Sequence, residues 1–153
     1  MIYLDPCALL KFIKPEPETA ALRAWREALS EGTELITSEL ARLEITRTLL
    51  RAGLSHQMVP YHVDQALCGA SQVDLSSAAL ARALAYRTPR LGSLGALHLA
   101  SAEPFRAELT DFVTYDRELG RAAEKLGFPV TAPAERPQES AVGAVQRGLG
   151  EPA

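Results

Sequence analysis

The chain has 153 residues, of which 47% are hydrophobic and 23% are charged. This length is typical of one domain with a sizeable core, and the composition excludes a largely disordered or membrane-embedded chain. The formal net charge of −3 at pH 7 excludes a molecule that is basic throughout, so any contact with RNA must use a local basic patch.

The first half of the sequence alternates short apolar runs with helix-forming runs. Asp5-Pro6 is typical of a helix start, the Pro-rich stretch 15–18 breaks the chain, and Gly32 and Gly53 are typical of helix ends. The predicted elements are a strand at 2–4, a helix at 7–13, a helix ending near residue 30, a strand at 35–37, a helix at 39–52 capped by Ser38, and a helix at 59–67.

The second half continues the alternation. Its predicted elements are a strand at 71–75, a helix at 77–86, a helix capped by Ser93 that runs to about residue 103, a strand at 112–115, a helix at 117–126 and a strand at 128–130. Strands that alternate with helices predict parallel pairing, so we expect an α/β/α sandwich with a mostly parallel central sheet. Residues 134–153 are rich in Pro, Gly, Glu and Gln without periodicity, which predicts a flexible tail after a domain at 1–133.

The cysteine content and the apolar stretches predict the compartment. Cys7 and Cys68 are too few for a disulfide framework and lack the spacing of a structural zinc site. No apolar stretch approaches the roughly 20 residues that span a membrane, and the first residues lack the basic region of a secretory signal. We therefore expect a cytoplasmic protein with reduced thiols and no membrane contact.

Two aspartates directly follow predicted strands. Asp5 comes after strand 2–4 and Asp116 after strand 112–115, and ligands of open parallel sheets bind beyond the carboxyl ends of the strands. Carboxylates are typical ligands of Mg²⁺ or Mn²⁺, which activate water and stabilise the charge that develops on a phosphodiester. The pattern indicates metal-assisted phosphodiester hydrolysis, although each aspartate taken alone also fits a helix cap.

A third carboxylate, Glu44, borders the buried stripe of helix 39–52. It lies about 40° around the helix axis from Leu40, which places it beside the core rather than in open solvent. An ordinary ion pair with Arg47, three residues further along the helix, explains Glu44 equally well. Spacing alone leaves both interpretations open.

Four segments resemble, in order and spacing, the four signature blocks of VapC-type PIN domains. They are Met-Ile-Tyr-Leu-Asp at 1–5, Ser-Glu-Leu-Ala-Arg-Leu-Glu at 38–44, Leu-Gly-Ala-Leu-His-Leu-Ala at 94–100 and Phe-Val-Thr-Tyr-Asp at 112–116. The resemblance implies a PIN-like three-layer α/β/α sandwich and an Mg²⁺- or Mn²⁺-dependent endoribonuclease toxin that acts on structured RNA such as tRNA or rRNA. It also implies a homodimer and a VapB-like antitoxin that occludes the site.

The resemblance also implies roles for individual residues. Asp5 and Asp116 become metal ligands, and Glu44 holds the metal's water or a second ion. Thr114 braces the strand end beside Asp116. Arg117 directly follows that aspartate and is the preferred phosphate contact among several candidate arginines, the others being Arg42, Arg47, Arg87 and Arg90.

Gly95 departs from the family pattern, because similar proteins carry Asp at this position. Of four expected carboxylates three remain, which should weaken cation binding and the positioning of the attacking water. Glycine inside a helix costs about 1 kcal/mol relative to alanine, so local structure gives no reason for it. Our hypothesis is that Gly95 replaces an Asp, through natural decay or because only attenuated copies of a toxin survive expression, and that it attenuates the enzyme.

Two further residues have competing interpretations. Family members usually have small hydroxylated residues where this chain has Pro6 and Cys7, and a thiol is a weaker donor to Asp5 than a hydroxyl. Cys7 fits a buried, inert thiol better than a low-pKa thiolate or a soft-metal ligand. His98, one turn after Gly95, fits a satisfied core histidine better than a side chain that reaches the site.

Two other functions are consistent with parts of the sequence. A noncatalytic PIN-like module that binds antitoxin or RNA would also explain Gly95. A phosphoacceptor receiver domain is α/β with Asp at strand ends, but it needs an acidic pair beside the acceptor and a lysine after a later strand. Here Pro6 and Cys7 follow Asp5, and Lys125 lies inside a predicted helix, which disfavours a receiver.

Overall fold

Five strands alternate with seven α-helices in the part of the chain that the structure, a computed structural model, describes, which is residues 1–134. The strands are β1 (Ile2–Leu4), β2 (Leu35–Ser38), β3 (Ala70–Val73), β4 (Asp111–Val113) and β5 (Val130–Thr131). The helices are α1 (Pro6–Lys11), α2 (Thr19–Glu27), α3 (Leu40–Arg51), α4 (Val59–Leu67), α5 (Ser77–Ala85), α6 (Ser93–Ala102) and α7 (Arg117–Lys125). A short 3₁₀ turn, Glu103–Phe105, follows α6.

The five strands form one parallel sheet in the order β3-β2-β1-β4-β5. Tyr3 of β1 pairs with Ile36 of β2 on one side and with Phe112 of β4 on the other. The chain builds outward from β1 to β3 and then returns to place β4 against the free side of β1. The strand order therefore reverses between β1 and β4, which is where parallel sheets of this kind bind ligands.

Helices cover both faces of the sheet, because side chains along each strand alternate between the faces. Ile2 and Leu4 pack with helices α1 to α4 on one face. Tyr3 packs with α6 and α7 on the other face. This arrangement confirms the predicted α/β/α sandwich, with a sheet that is parallel throughout the described residues.

Several predicted boundaries differ from the observed ones by one to three residues, and two of them differ for local reasons. The last strand is Val130–Thr131 rather than 128–130, because Pro129 has no N–H to give to a strand ladder and Phe128 is buried in the core instead. The residue that precedes α6 is Gly92 rather than Ser93, so the predicted serine cap is absent there. Ser38 ends β2, and its hydroxyl still accepts the N–H of Leu40 at 3.3 Å.

Two further expectations from the sequence were a flexible tail at 134–153 and no membrane contact. The predicted tail at 134–153 lies outside the described residues except for its first residue, and the domain boundary at 133 stays a prediction. Within residues 1–134, no helix combines the length and the apolar character needed to cross a membrane.

Phe112 offers a test of the aromatic packing around β1. Its fully buried ring stacks on Tyr3 at a centroid distance of 5.0 Å and meets the edge of Phe128 at 5.5 Å. We expect Phe112→Ala to lower the free energy of unfolding by about 3–5 kcal/mol in urea titrations, because it leaves a cavity in the core. The control Leu43→Ala, at a side chain that is 57% exposed, should change it by less than about 0.5 kcal/mol. Equal losses in the two variants would contradict this packing.

Candidate active site

Asp5 lies between β1 and α1, and its carboxylate is bound by two side chains. Its backbone conformation is that of a helix cap, but its side chain makes no capping hydrogen bond. Instead Oδ2 accepts from the Cys7 thiol, with Sγ 2.6 Å away, and from the Thr114 hydroxyl at 3.0 Å. The capping explanation therefore does not account for this aspartate.

Burial and its neighbours have opposite effects on Asp5. The side chain is almost fully buried, and this desolvation raises the pKa of Asp5 above its ordinary value. The nearby His98 ring and the hydrogen bonds from Cys7 and Thr114 lower it, while the negative charge of Glu44 adds to the increase. Asp5 is thus a carboxylate in a partly desolvated place, where hydrogen bonds offset much of the cost of its charge.

Asp116 follows β4 and is exposed, and its side chain does cap a helix. Its Oδ1 accepts the backbone N–H groups of Glu118 at 2.8 Å and Leu119 at 3.0 Å, at the start of α7. Its own backbone N–H donates to the Thr114 hydroxyl at 3.1 Å. The Thr114 hydroxyl therefore contacts both aspartates, which ties the end of β4 to the end of β1.

Glu44 contacts a histidine rather than the arginine on its own helix. Its Oε1 lies 2.5 Å from Nε2 of His98, and no ion pair with Arg47 is present among residues 1–134. The Nδ1 atom of His98 lies 2.8 Å from the Tyr3 hydroxyl. His98 is 1% exposed, so it is the buried, hydrogen-bonded core residue that the sequence favoured. Its ring nevertheless also contacts the carboxylate of Glu44.

These side chains line one cavity of about 290 Å³. Its walls include all three carboxylates named above together with the backbone of α6, namely Asp5, Glu44, Asp116, Gly95 and His98. Each carboxylate has one oxygen bound by protein groups. Among the residues that the structure describes, no hydrogen bond reaches the other oxygen, which is Oδ1 of Asp5, Oε2 of Glu44 and Oδ2 of Asp116.

Gly95 lies in α6 without any backbone need for glycine. Its φ is not positive, unlike that of four other glycines of the described chain. A Cβ atom added at Gly95 would meet Cδ1 of Leu91 at 3.0 Å and two atoms of Leu119 at 3.7 and 3.8 Å. Only the end of the Leu91 side chain would have to move by a few tenths of an ångström, so the fold can accept a side chain here.

The arginines near this cavity differ in their ion pairs. Arg117 is exposed and lines a neighbouring groove with Asp116, and it forms no ion pair with any residue in 1–134. Arg90 and Arg121 both pair with Glu118, at 3.3 and 3.0 Å. Arg42 pairs with Asp64 on α4. The preference for Arg117 as a phosphate contact stays a prediction, but its guanidinium is available for one.

The donor set fits a hydrated cation better than a caged one. In residues 1–134, no three His, Cys, Asp or Glu side chains lie close enough to hold a single metal ion together. Mg²⁺ commonly keeps several waters and is held by only one or two carboxylates. The free oxygens of Asp5 and Asp116 beside one cavity satisfy that requirement, whereas a site with three or more direct protein ligands does not fit this geometry.

Sequence reasoning missed Tyr3 and one of the contacts of Cys7. Tyr3 is fully buried, and its hydroxyl accepts the N–H of Ser38 at 3.2 Å besides contacting His98. A buried tyrosine in an otherwise aliphatic central strand was the available signal, since such a hydroxyl needs a partner. Cys7 was considered only as a weak donor, but its sulfur also accepts the N–H of Tyr115 at 3.2 Å.

Comparisons with known proteins identify the family of the chain. A family model described as the PIN domain matches residues 2–125. Ribonuclease VapC47 of Mycobacterium tuberculosis is 38% identical over 136 residues, which cover 87% of this chain and 97% of the relative. Ribonuclease VapC35 of the same species is 39% identical over 139 residues, which cover 88% and 98%. The chain belongs to the VapC-type PIN-domain family.

A solved structure shows the same fold. VapBC2 from Rickettsia felis, bound to a DNA fragment from its promoter, aligns with a TM-score of 0.65 and covers 87% of this chain and 99% of the compared chain. The two sequences are 18% identical, so this likeness concerns the fold alone. The helices and parallel strands of this family member therefore follow a known PIN-domain arrangement.

Cys7 allows a test of the thiol's state. Burial, the charge of Asp5 and the hydrogen bond to Asp5 raise the pKa of Cys7 to about 12, which argues against a reactive thiolate. At about pH 8, iodoacetamide should alkylate the exposed Cys68 and leave Cys7 unmodified in the folded protein, as peptide mass mapping will show. Cys68→Ser should abolish labelling until the protein is unfolded. Labelling of Cys7 as fast as Cys68 in the folded protein would refute this assignment.

Proposed function

We propose that this chain is a divalent-metal-dependent endoribonuclease toxin whose activity is attenuated by Gly95. The observation that carries the proposal is the cavity at the ends of β1 and β4, where three carboxylates each keep one oxygen free of protein hydrogen bonds. Both curated relatives named above are ribonucleases by name. Structured RNA such as tRNA or rRNA is the substrate class that the family resemblance supports.

Each residue around the cavity has its own role in the proposed reaction. Asp5 and Asp116 would hold Mg²⁺ or Mn²⁺, and Glu44 would hold a water molecule or a second ion. When bound, the ion supplies activation of water and neutralises charge on the phosphodiester. Thr114 keeps the two aspartates in register, and Arg117 is available for a substrate phosphate beside Asp116.

Partners follow from the same family membership. We infer a VapB-like antitoxin that occludes the site, since the compared structure is a VapBC assembly. We also infer a homodimer in the cytoplasm. Leu80 and Leu84 of α5 are 51% and 73% exposed, and they supply an apolar face for a contact between two copies of this chain.

Asp5→Asn tests the catalytic proposal with a nearly isosteric change. It removes the charge but keeps the shape, so Mn²⁺ affinity measured by calorimetry should fall about tenfold or more, and Mn²⁺-dependent cleavage of tRNA should be lost. The matched control is Asp64→Asn, at an exposed carboxylate that pairs with Arg42 on the opposite side of α3 from the cavity residues. Equal behaviour of the two variants would contradict the proposed site.

Gly95→Asp tests the attenuation hypothesis. A carboxylate at this cavity-lining position should strengthen Mn²⁺ binding and raise the cleavage rate by about tenfold or more, because it adds a ligand. Ser93→Asp adds the same charge to α6 at an exposed position outside the cavity and serves as the control. Equal activity of the wild type and Gly95→Asp would refute the hypothesis.

The noncatalytic alternative keeps one supporting observation, which is Gly95 itself. A module that only binds antitoxin or RNA should bind Mn²⁺ feebly and should cut no RNA even after Gly95→Asp. The calorimetric titrations of the preceding variants therefore decide between the two functions.

A further inference from the structure

The ring of His98 connects the buried core to the candidate site. On one side Nδ1 lies 2.8 Å from the hydroxyl of Tyr3, and on the other side Nε2 lies 2.5 Å from Oε1 of Glu44. His98 and Tyr3 are essentially inaccessible to solvent, whereas the side chain of Glu44 is 23% exposed at the cavity. Three residues that are distant in the sequence thus form one chain of hydrogen bonds from β1 through α6 to α3.

The direction of these hydrogen bonds follows from counting protons. The backbone N–H of Ser38 donates to the Tyr3 oxygen at 3.2 Å, so that oxygen acts as an acceptor there. Burial raises the pKa of Tyr3 well above its ordinary value, which keeps the phenol protonated. The phenol O–H can then donate to Nδ1 of His98, and a neutral ring that accepts at Nδ1 carries its own proton on Nε2.

The Nε2–H tautomer suits the partner at the other end. A carboxylate offers only acceptors, so Oε1 of Glu44 requires a donor from His98. The opposite tautomer would place two protons between Tyr3 and Nδ1, and it would set the Nε2 lone pair against a carboxylate oxygen. Tyr3 and Glu44 therefore both favour a proton on Nε2, and that proton anchors Glu44.

We propose that His98 is a positioning residue for Glu44, with Tyr3 holding the ring in the orientation that points Nε2–H at Glu44. The interaction holds Oε1 and leaves Oε2 free at the cavity, as the hydrogen bonds to Asp5 and Asp116 do for their carboxylates. Such supporting hydrogen bonds fix the orientation of site carboxylates and affect function by about 10- to 100-fold when removed. The catalytic part of this inference rests on the proposed function, whereas the proton positions do not.

Nuclear magnetic resonance of the ¹⁵N-labelled, metal-free protein tests the proton positions directly. Long-range ¹H–¹⁵N correlations should show His98 protonated on Nε2 and bare on Nδ1, with the ring assigned by its loss in His98→Gln. Tyr3→Phe keeps the aromatic ring but removes the donor to Nδ1, so the ¹⁵N resonance of Nδ1 should shift while Glu44 still favours the proton on Nε2. A His98 ring that carries a proton on Nδ1, alone or together with one on Nε2, or an Nδ1 resonance unchanged by Tyr3→Phe, would overturn the proposal. The ring of His62, on α4, should be unaffected in every variant.

A variant series tests whether His98 acts through Glu44. His98→Leu should weaken Mn²⁺ binding and RNA cleavage about tenfold, and His98→Gln should restore most of both, because its amide can donate to Glu44. In a Glu44→Ala background His98→Leu should have no further effect, whereas an additional loss of similar size would overturn the coupling. The cleavage assays use the wild type and the Gly95→Asp background. If neither cuts RNA, the proposed function fails, and the spectra still decide the proton positions.

Discussion

The parallel pairing of β1 with β4 is the constraint on which the rest of the molecule depends. The two strands have three residues each, and their register sets Leu4 beside Val113. The ladder extends one residue further, because the N–H of Asp5 donates to the carbonyl of Val113 at 3.0 Å. Asp5 is therefore fixed by the backbone before its side chain makes any contact. The reversal of strand order at this pair opens the cavity into which the acidic side chains converge.

Anchoring of one oxygen offsets the cost of burial at Asp5 and, in part, at Glu44. A carboxylate removed from water is unfavourable unless donors replace its hydration, and the donors here are a thiol and a hydroxyl at Asp5 and an imidazole at Glu44. The exposed Asp116 is anchored instead as the cap of α7, by two backbone N–H groups. The same contacts limit the rotation of each side chain. A site built in this way holds its free oxygens in place before any cation or substrate arrives, which reduces the ordering required on binding.

Local sequence signals predicted the fold and the position of two aspartates at the ends of strands. A short apolar run followed by Asp5-Pro6, and another followed by Asp116, indicate strand ends and helix starts without any knowledge of tertiary contacts. The partner of Glu44 had no local signal. Arg47 is the neighbour that helix geometry offers, but the observed partner, His98, lies 54 residues away. Only the packing of α6 against β1 and β2 brings that ring to α3.

The remaining misses have similar causes. Tyr3 was not recognised because its role depends on Ser38 and His98, which reach it from another strand and from a helix on one face of the sheet. Cys7 was expected to be a weak donor to Asp5 and an inert thiol, but the short distance to Asp5 and the N–H of Tyr115 on its sulfur depend on the β1 and β4 pairing. The role of a residue that positions other side chains depends on tertiary contacts, so it can be recognised only in the folded structure.

At Gly95 the requirements of the fold differ from those of the proposed function. The backbone does not require glycine there, and a Cβ would press only on the flexible end of Leu91. Under the proposed function Gly95 replaces a carboxylate, and that replacement would act mainly through charge. Glu44 already raises the pKa of Asp5, and a fourth carboxylate on the same cavity would add repulsion wherever no cation is bound. Under the proposed function, glycine relieves the metal-free protein of that repulsion and withholds a ligand from the metal-bound one, which would favour stability at the expense of catalysis.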